Sequence, residues 1–199
     1  MALKLAGILA AYLLGAVPVG VLVSRLFFGV NIREHGSGNI GATNIFRTLG
    51  KGPAALTFAG DVFKGWLAAW LAWRLGGDPM WGALGALLAI VGNCWSVFLR
   101  WGGGKGVATG FGVFLGLAPI AVLPAALVWV VVAASFRYVS LASVMSSLCL
   151  PVGVLLLGYP APILVVSVVA AGIIVLRHRD NLTRLLQGTE RKAGNRVSA

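Results

Sequence analysis

The chain has 199 residues, of which 59% are hydrophobic and 11% are charged, whereas an ordinary soluble domain is about 25% charged. This composition excludes a soluble globular protein and a disordered chain, and two cysteines inside apolar runs exclude a disulfide scaffold. Sixteen Lys and Arg against five Asp and Glu give a net charge of +11. Such a hydrophobic chain has no soluble face for nucleic acid, so its charge indicates anionic lipid headgroups or anionic substrates at a membrane surface.

Five apolar stretches are long enough to cross a membrane, which takes about 20 residues of helix. In chain order they are residues 5–24, 53–73, 80–99, 107–136 and 138–176. The first follows a single Lys like a secretory signal, but it is too long for one, and we expect an uncleaved helix. The last contains the sequence Gly-Tyr-Pro-Ala-Pro and therefore predicts two helices joined by a tight turn.

The stretch 107–136 is ambiguous, because it is long for one span and short for two. The positive-inside rule requires an even number of crossings between Lys105 and Arg177, which predicts two short helices broken around Pro119 or Pro124. We therefore expect an all-α, polytopic integral membrane protein with seven transmembrane helices. Its amino terminus would lie outside and its carboxyl terminus in the cytoplasm. Residues 1–199 would form one membrane domain with three cytoplasmic motif loops, at 29–51, 100–109 and 177–199.

The first of these loops contains Gly36, Gly38 and Gly41 in the spacing of a dinucleotide-binding motif, with Asp61 twenty residues further on. A membrane helix precedes the glycines where that motif needs a strand, so we reject the nucleotide interpretation. Glycines nevertheless let backbone N–H groups approach an anion closely, and the neighbouring polar side chains add donors. The loop predicts an anion site, and the alternative is a flexible polar turn. The added donors are Ser37, Asn39, Thr43, Asn44 and Arg47.

The second loop has four glycines around Lys105, at positions 102, 103, 104 and 106. It is not a nucleotide-binding P-loop, because Gly106 follows Lys105 where that motif has Ser or Thr. Free N–H groups and a helix N-terminus beside a cation predict an anion site. The alternative, glycines for close helix packing, suits Gly112 and Gly116 better.

The third segment, residues 177–190, would as a helix present His178, Asn181 and Arg184 on one face. The alternative is a basic tail that only marks topology and contacts lipid headgroups. Asp61 and Lys64 lie one helical turn apart inside a predicted span, where charged residues are costly. The sequence favours a structural ion pair and a substrate contact equally.

Ser140 and Ser143 follow Arg137 at the start of a helix. They predict either a phosphate contact or a plain helix cap.

Several chemistries are excluded. Neither His35 nor His178 is followed five residues later by an acid, so the His-x4-Asp dyad of many glycerolipid acyltransferases is missing. No cluster of Cys, His and carboxylates predicts a metal site, and no Gly-x-Ser-x-Gly sequence is present. We expect no metal and no cofactor, and a site rich in anion-binding donors and poor in bases.

Four segments, in this order, resemble the motifs of the bacterial acyl-phosphate:glycerol-3-phosphate acyltransferases. They are residues 37–44 with Arg47, residues 61–65, residues 103–109, and residues 178–181 with Arg184 and Glu190. The resemblance implies a seven-helix enzyme of the bacterial inner membrane whose site faces the cytoplasm. It would move a fatty acyl group from acyl phosphate to the 1-hydroxyl of glycerol 3-phosphate. The products, lysophosphatidic acid and phosphate, would be those of the first acylation step of phospholipid synthesis.

The resemblance also implies residue roles. Ser37, Arg47, His178 and Asn181 would be catalytic, and Asp61 and Glu190 structural. The expected substrate-binding residues are Gly38, Asn39, Gly41, Asn44, Lys64, Gly103, Gly104, Lys105, Gly106, Ser140, Ser143 and Arg184. The expected partners are glycerol 3-phosphate, acyl phosphate and membrane lipid, with no nucleic acid and a monomeric chain. Two positions depart from the family pattern, with Asn93 where it has His and Gly102 where it has Lys or Arg.

Because the sequence offers few bases, we expect direct attack by the substrate hydroxyl, with no acyl-enzyme, and a substrate phosphate oxygen accepting the proton. Two other functions compete with this one. A small transporter of an organic anion would bind its substrate near mid-membrane, where only Asp61 and Lys64 are charged. A non-catalytic membrane scaffold would leave the three polar loops unexplained.

Overall fold

The computed structural model describes residues 1–194, and across these residues it contains α-helices, two short 3-10 turns and no strand. The expected all-α class is confirmed. Residues 195–199, the end of the expected cytoplasmic segment 177–199, lie outside the described residues. The helices are α1 (Ala2–Ala16), α2 (Val19–Phe28), α3 (Ala42–Leu49), α4 (Lys51–Gly76), α5 (Pro79–Cys94), α6 (Val107–Leu117), α7 (Pro119–Phe136), α8 (Val139–Leu156), α9 (Ala161–Arg177) and α10 (Arg179–Leu186).

The first apolar stretch is broken, although residues 5–24 were expected to form one helix. α1 and α2 meet at an angle of 45° around Val17 and Pro18. Pro18 has no N–H to donate and disfavours the helical conformation at Val17. The break leaves the Val17 carbonyl without a helical partner, and Lys64 of α4 donates to it at 2.7 Å.

The two predicted breaks further along the chain are confirmed. Residues 107–136 form α6 and α7, which are separated at Ala118. The break therefore falls at Pro119, the first residue of α7, while Pro124 lies inside that helix. Residues 138–176 divide into α8 and α9 around Gly158, whose left-handed φ of +69° suits glycine.

Small residues let the central helices approach closely, as in many membrane proteins. A Cβ atom on Gly112 of α6 would collide with the Val62 carbonyl of α4, and one on Gly65 with the Thr109 carbonyl. A Cβ on Gly15 of α1 would collide with the backbone of α5. The close packing of α4 against α6 fixes the beginning of α6, which follows the glycine-rich loop.

The outer surface of the bundle exposes large apolar side chains, including Leu127, Val130 and Val165. Three helical segments are long and apolar enough to cross a membrane, or up to five if each bent pair is one span. These are Pro79–Leu99, Pro119–Phe136 and Val139–Leu156, with the pairs α1–α2 and α9–α10. The count of seven spans and the orientation stay predictions.

The segment 29–51 was expected to be a loop, but it contains the helix α3. Ile45 of α3 is fully buried with Ile32 and Ile40 in a small apolar cluster, which anchors the helix against α2 and α4. The segment after α9 forms α10 as a helix, beginning at Arg179. Both short helices bring polar residues to the same cavity.

Candidate active site

A cavity of about 810 Å³ lies where the three motif segments meet, and this volume is typical of a small-molecule site. It brings together every predicted site residue except Lys64. The lining residues from the prediction are Ser37, Gly38, Asn39, Gly41, Asn44, Arg47, Asp61, Gly103, Gly104, Lys105, Gly106, Ser140, Ser143, His178, Asn181, Arg184 and Glu190.

Asn44 shapes the first motif from inside it. Its side-chain oxygen accepts the Ser37 N–H at 2.9 Å, and its amide nitrogen donates to the carbonyls of His35 at 3.0 Å and Asn39 at 2.9 Å. Only 2% of Asn44 is exposed, so these bonds shape the motif, and the substrate contact of Asn44 stays a prediction. The Ser37 hydroxyl, in contrast, borders the cavity without a hydrogen bond in the described part of the chain.

The N-terminus of α3 points its free N–H groups toward the cavity. Gly41 precedes the helix, and its own N–H donates to the Asn39 side chain at 2.8 Å. Ala42 and Thr43 begin the helix and line the cavity, where the first N–H groups of a helix have no intrahelical acceptor. Later in α3, the nearly buried Arg47 guanidinium donates to the Arg191 carbonyl at 3.0 Å.

Asn93 clamps the glycine loop. Its backbone carbonyl accepts the Gly104 N–H at 2.9 Å, and its side-chain oxygen accepts the Gly106 N–H at 3.0 Å. These two amides are therefore engaged within the protein, which corrects the expectation of free N–H groups for Gly104 and Gly106. The donors left for an anion at this side are the backbone N–H groups of Gly103 and Lys105, which have no hydrogen-bond partner among residues 1–194, and the first N–H groups of α6, from Val107 onward.

Lys105 is the cation of the glycine loop, and its ammonium donates to the Asn181 side-chain oxygen. Burial lowers the pKa of Lys105 from 10.5 to about 8, although the negative charge of Glu190 opposes this fall. The side chain is therefore mostly charged at neutral pH, beside an acceptor that carries no charge.

Glu190 joins three segments at the edge of the cavity. Its carboxylate accepts hydrogen bonds from Ser140 at 2.7 Å, Asn181 at 2.6 Å and Arg184 at 2.8 Å. Burial alone would raise the pKa of Glu190, but these three bonds outweigh it and hold the pKa below the ordinary value. The ionised carboxylate thus links α8 and α10 to the chain that follows them.

His178 lies between α9 and α10 with a defined tautomer. Its Nδ1 is 2.7 Å from the Ile174 carbonyl, and because a carbonyl can only accept, Nδ1 carries the hydrogen and Nε2 keeps a lone pair. Burial and the positive charge of Lys105 lower the pKa of His178 to about 4. His178 is therefore neutral at neutral pH, a hydrogen-bond acceptor and a weak base.

Lys64 is not part of the cavity. Its ammonium is 2.6 Å from the Asp61 carboxylate and donates to the Val17 carbonyl at the break between α1 and α2. These contacts engage Lys64 at the break and away from the cavity, so its predicted substrate contact has no support in this geometry. Asp61 itself lines the cavity from the α4 side.

Two residues at the site were missed. Thr109 is 1% exposed and lines the cavity, and its hydroxyl has no hydrogen-bond partner among residues 1–194. Arg177 donates to the carbonyls of Gly103 and Gly104. Thr109 is the last residue of the segment 103–109, one of the four on which the resemblance rested. Its place in that segment was the signal that could have identified it as a site residue. Arg177 looked like one more cation after a span.

An apolar pocket of about 250 Å³ adjoins the polar cavity. The two share Phe58, Val107, Trp129 and Ser143 in their walls. Trp129 donates to the Ser143 hydroxyl at 3.3 Å, and that hydroxyl donates to the Val139 carbonyl. Ser143 thus stands at the border between a polar and an apolar compartment. The rest of the pocket comes from residues of α6, α7, α8 and α9, all apolar except Ser146 and Ser147, whose hydroxyls donate to backbone carbonyls.

The family model described as glycerol-3-phosphate acyltransferase matches residues 5–188 of this chain. A glycerol-3-phosphate acyltransferase from Rubrobacter xylanophilus is 49% identical over 189 residues, which are 95% of this chain and 94% of that protein. One from Trichlorobacter lovleyi is 45% identical over 186 residues, which are 93% of this chain and 95% of that protein.

Two crystal structures of PlsY, described as an integral membrane glycerol 3-phosphate acyltransferase, share the fold. The glycerol 3-phosphate form is 38% identical with a TM-score of 0.91, and the lysophosphatidic acid form is 37% identical with a TM-score of 0.90. Each comparison covers 96% of both chains. With its apolar helices and its match over nearly the whole length, this integral membrane protein belongs to the glycerol-3-phosphate acyltransferase family.

Proposed function

We propose that this protein transfers a fatty acyl group from acyl phosphate to the 1-hydroxyl of glycerol 3-phosphate, releasing lysophosphatidic acid and phosphate. The observation that carries the proposal is the junction of two compartments, in which a cationic, N–H-rich cavity adjoins an apolar pocket. Such a junction suits a reaction between a polar phosphate ester and an acyl chain. The family membership and the ligands of the two PlsY structures support the same reaction class.

Both substrates are anions, and the cavity offers two separate sets of donors. One set comprises the N-terminus of α3 with Ser37 and Arg47, and the other comprises the N-terminus of α6 with Lys105. Helix N-termini and charged donors both favour phosphate oxygens. We assign one phosphate group to each set, with the acyl chain in the apolar pocket between α6 and α9.

The reaction proceeds by direct attack. The 1-hydroxyl oxygen of glycerol 3-phosphate bonds to the acyl carbon, the bond from that carbon to the phosphate oxygen breaks, and the hydroxyl proton passes to a phosphate oxygen. His178 is a weak base with a pKa of about 4, and its Nε2 orients the hydroxyl. The donors around the cavity hold the reactants together and stabilise charge that develops in the transition state.

The decisive assay gives the purified protein labelled glycerol 3-phosphate with acyl phosphate and, separately, with acyl-CoA. We expect labelled lysophosphatidic acid only with acyl phosphate. Lys105→Met should abolish most of the product, whereas Arg25→Gln, at an exposed position on α2 outside the cavity, should leave it unchanged. Absence of product with both donors would reject the acyltransferase function. Product with acyl-CoA alone would reject acyl phosphate as the donor.

The anion-transporter alternative needs charge near mid-membrane that can reach a substrate. Asp61 and Lys64 are paired with each other, and Lys64 also binds a backbone carbonyl, so the pair favours the enzyme. Labelled glycerol 3-phosphate that accumulates in proteoliposomes without conversion would favour transport.

We further propose that the chain is one monomeric domain of the bacterial inner membrane. It would have seven spans, an external amino terminus and a cytoplasmic site, and α1 with α2 would form one bent span. The basic residues of the motif segments support this orientation. A reporter fused after Ala199 should be found on the cytoplasmic face. Reporter activity on the external face would refute the topology.

A further inference from the structure

Arg177, the last residue of α9, reaches back to the glycine loop that precedes α6. Its Nε donates to the Gly104 carbonyl at 3.1 Å, and a terminal nitrogen donates to the Gly103 carbonyl at 3.2 Å. The guanidinium also lies over the ring of Trp95, 5.4 Å from its centroid. The side chain is therefore held on one face by an aromatic ring and on its edge by two consecutive carbonyls.

The loop needs such a support because glycines have the largest conformational freedom of all residues. Asn93 holds the loop through N–H groups, those of Gly104 and Gly106. Arg177 holds it through carbonyls, including that of Gly104. The Gly104 residue is thus fixed at both its donor and its acceptor, directly before Lys105.

We propose that Arg177 is a positioning residue that fixes the glycine loop so that Lys105 and the N-terminus of α6 meet a substrate phosphate. This inference rests on the proposed function. Arg177 acts through the loop, since two of its donors are engaged by carbonyls. Because His178 follows Arg177 directly, the same contact sets the glycine loop and the His178 segment at one fixed separation.

The geometry requires the planar fork of an arginine. A lysine at this position keeps the positive charge, but its single ammonium cannot bind two neighbouring carbonyls in the same plane and stacks less well on Trp95. Arg177→Lys therefore separates positioning from charge. Arg25→Gln is the control for loss of a surface cation, since Arg25 is exposed on α2 and does not line the cavity.

The first measurement is hydrogen exchange of a peptide covering residues 100–108 in the purified, full-length protein. We expect the Gly104 and Gly106 amides to exchange at least about tenfold faster in Arg177→Lys, with no change in Arg25→Gln and none in α8. Loss of one hydrogen bond to a charged group is enough for a change of this size. Unchanged exchange in a folded Arg177→Lys protein would overturn the proposal.

The second measurement is steady-state kinetics with glycerol 3-phosphate. We expect the KM of Arg177→Lys for this substrate to rise about tenfold, with a smaller change in kcat and an unchanged KM for the acyl donor. A normal KM despite faster loop exchange would overturn the positioning role. If the wild type is inactive with every donor, the proposed function fails, while the exchange data still decide whether Arg177 holds the loop.

A second variant covers the case in which Arg177→Lys does not fold. Trp95→Leu keeps both hydrogen bonds of Arg177 and removes the aromatic face beneath it, while an apolar side chain still packs against the core. We expect faster loop exchange and a higher KM, each by a smaller factor than in Arg177→Lys. Exchange and KM at wild-type values in Trp95→Leu would then overturn the proposal.

Discussion

Raising the pH through 8 should remove the positive charge of Lys105 and weaken the capture of glycerol 3-phosphate. The pKa of Lys105 falls from 10.5 to about 8 on burial, which corresponds to roughly 3 kcal/mol against the charged form. A bound phosphate restores the lost interaction and raises this pKa again. The pKa is lowered in the free protein, so the charge is present below about pH 8 and is lost above it.

The assay is the initial rate with acyl phosphate between pH 6 and 10. We expect kcat/KM for glycerol 3-phosphate to fall about tenfold per pH unit above the break near 8, because it reports the free enzyme. The break in kcat, which reports the bound complex, should lie at higher pH. Lys105→Arg stays charged over this range, so its profile should be lower but flat. A break near 8 in Lys105→Arg, or coincident breaks in kcat and kcat/KM, would refute the reasoning.

Three further substitutions test other parts of the site. Glu190→Gln removes a charge that raises the pKa of Lys105, so the break in kcat/KM should move to lower pH. The neutral amide also forms weaker hydrogen bonds than the carboxylate, so the free energy of unfolding should fall by about 2 kcal/mol. Lys64→Met leaves the buried Asp61 carboxylate unpaired. It should lower the free energy of unfolding, measured by thermal unfolding, by about 3–5 kcal/mol. Adding Asp61→Asn should recover much of this stability with a normal KM, and a raised KM would restore Lys64 as a substrate ligand. Thr109→Val should raise the KM of one substrate about threefold to tenfold without loss of stability, because the hydroxyl has no partner among residues 1–194; an unchanged KM would assign the hydroxyl no substrate contact.

The helices could be predicted from the sequence where apolar runs are long, and less well where they are short. The breaks at Pro119 and near Gly158 followed from run length and turn residues. The bend at Pro18 was missed because residues 5–24 carry no charge to interrupt the run. α3 was missed because its eight residues lie among glycines, and its burial depends on contacts with α2 and α4.

The site could be predicted as a set of side-chain types but not as a set of roles. The cations and glycines indicated anion sites in the separate segments, and the resemblance grouped the segments, whose residues line one cavity. Asn44, Lys64 and Arg177 nevertheless bind the protein's own carbonyls. Which donor meets a carbonyl and which faces the cavity is decided by helix packing, since each alternative uses the same residue types. Asn93 illustrates this, because an amide oxygen without titratable chemistry holds the loop.

Three cations of the site are hydrogen-bonded to uncharged acceptors and are therefore not neutralised by a direct ion pair. Arg47 donates to a backbone carbonyl, Lys105 to an amide oxygen and Arg177 to two carbonyls, whereas Arg184 pairs with the Glu190 carboxylate. Neutral acceptors satisfy buried donors and orient them, but they leave the positive charge free to act on a ligand. A carboxylate in each of these positions would cancel the field that two phosphate groups need. The net charge of +11 therefore acts at this cavity through the choice of uncharged partners as well as through the number of basic residues.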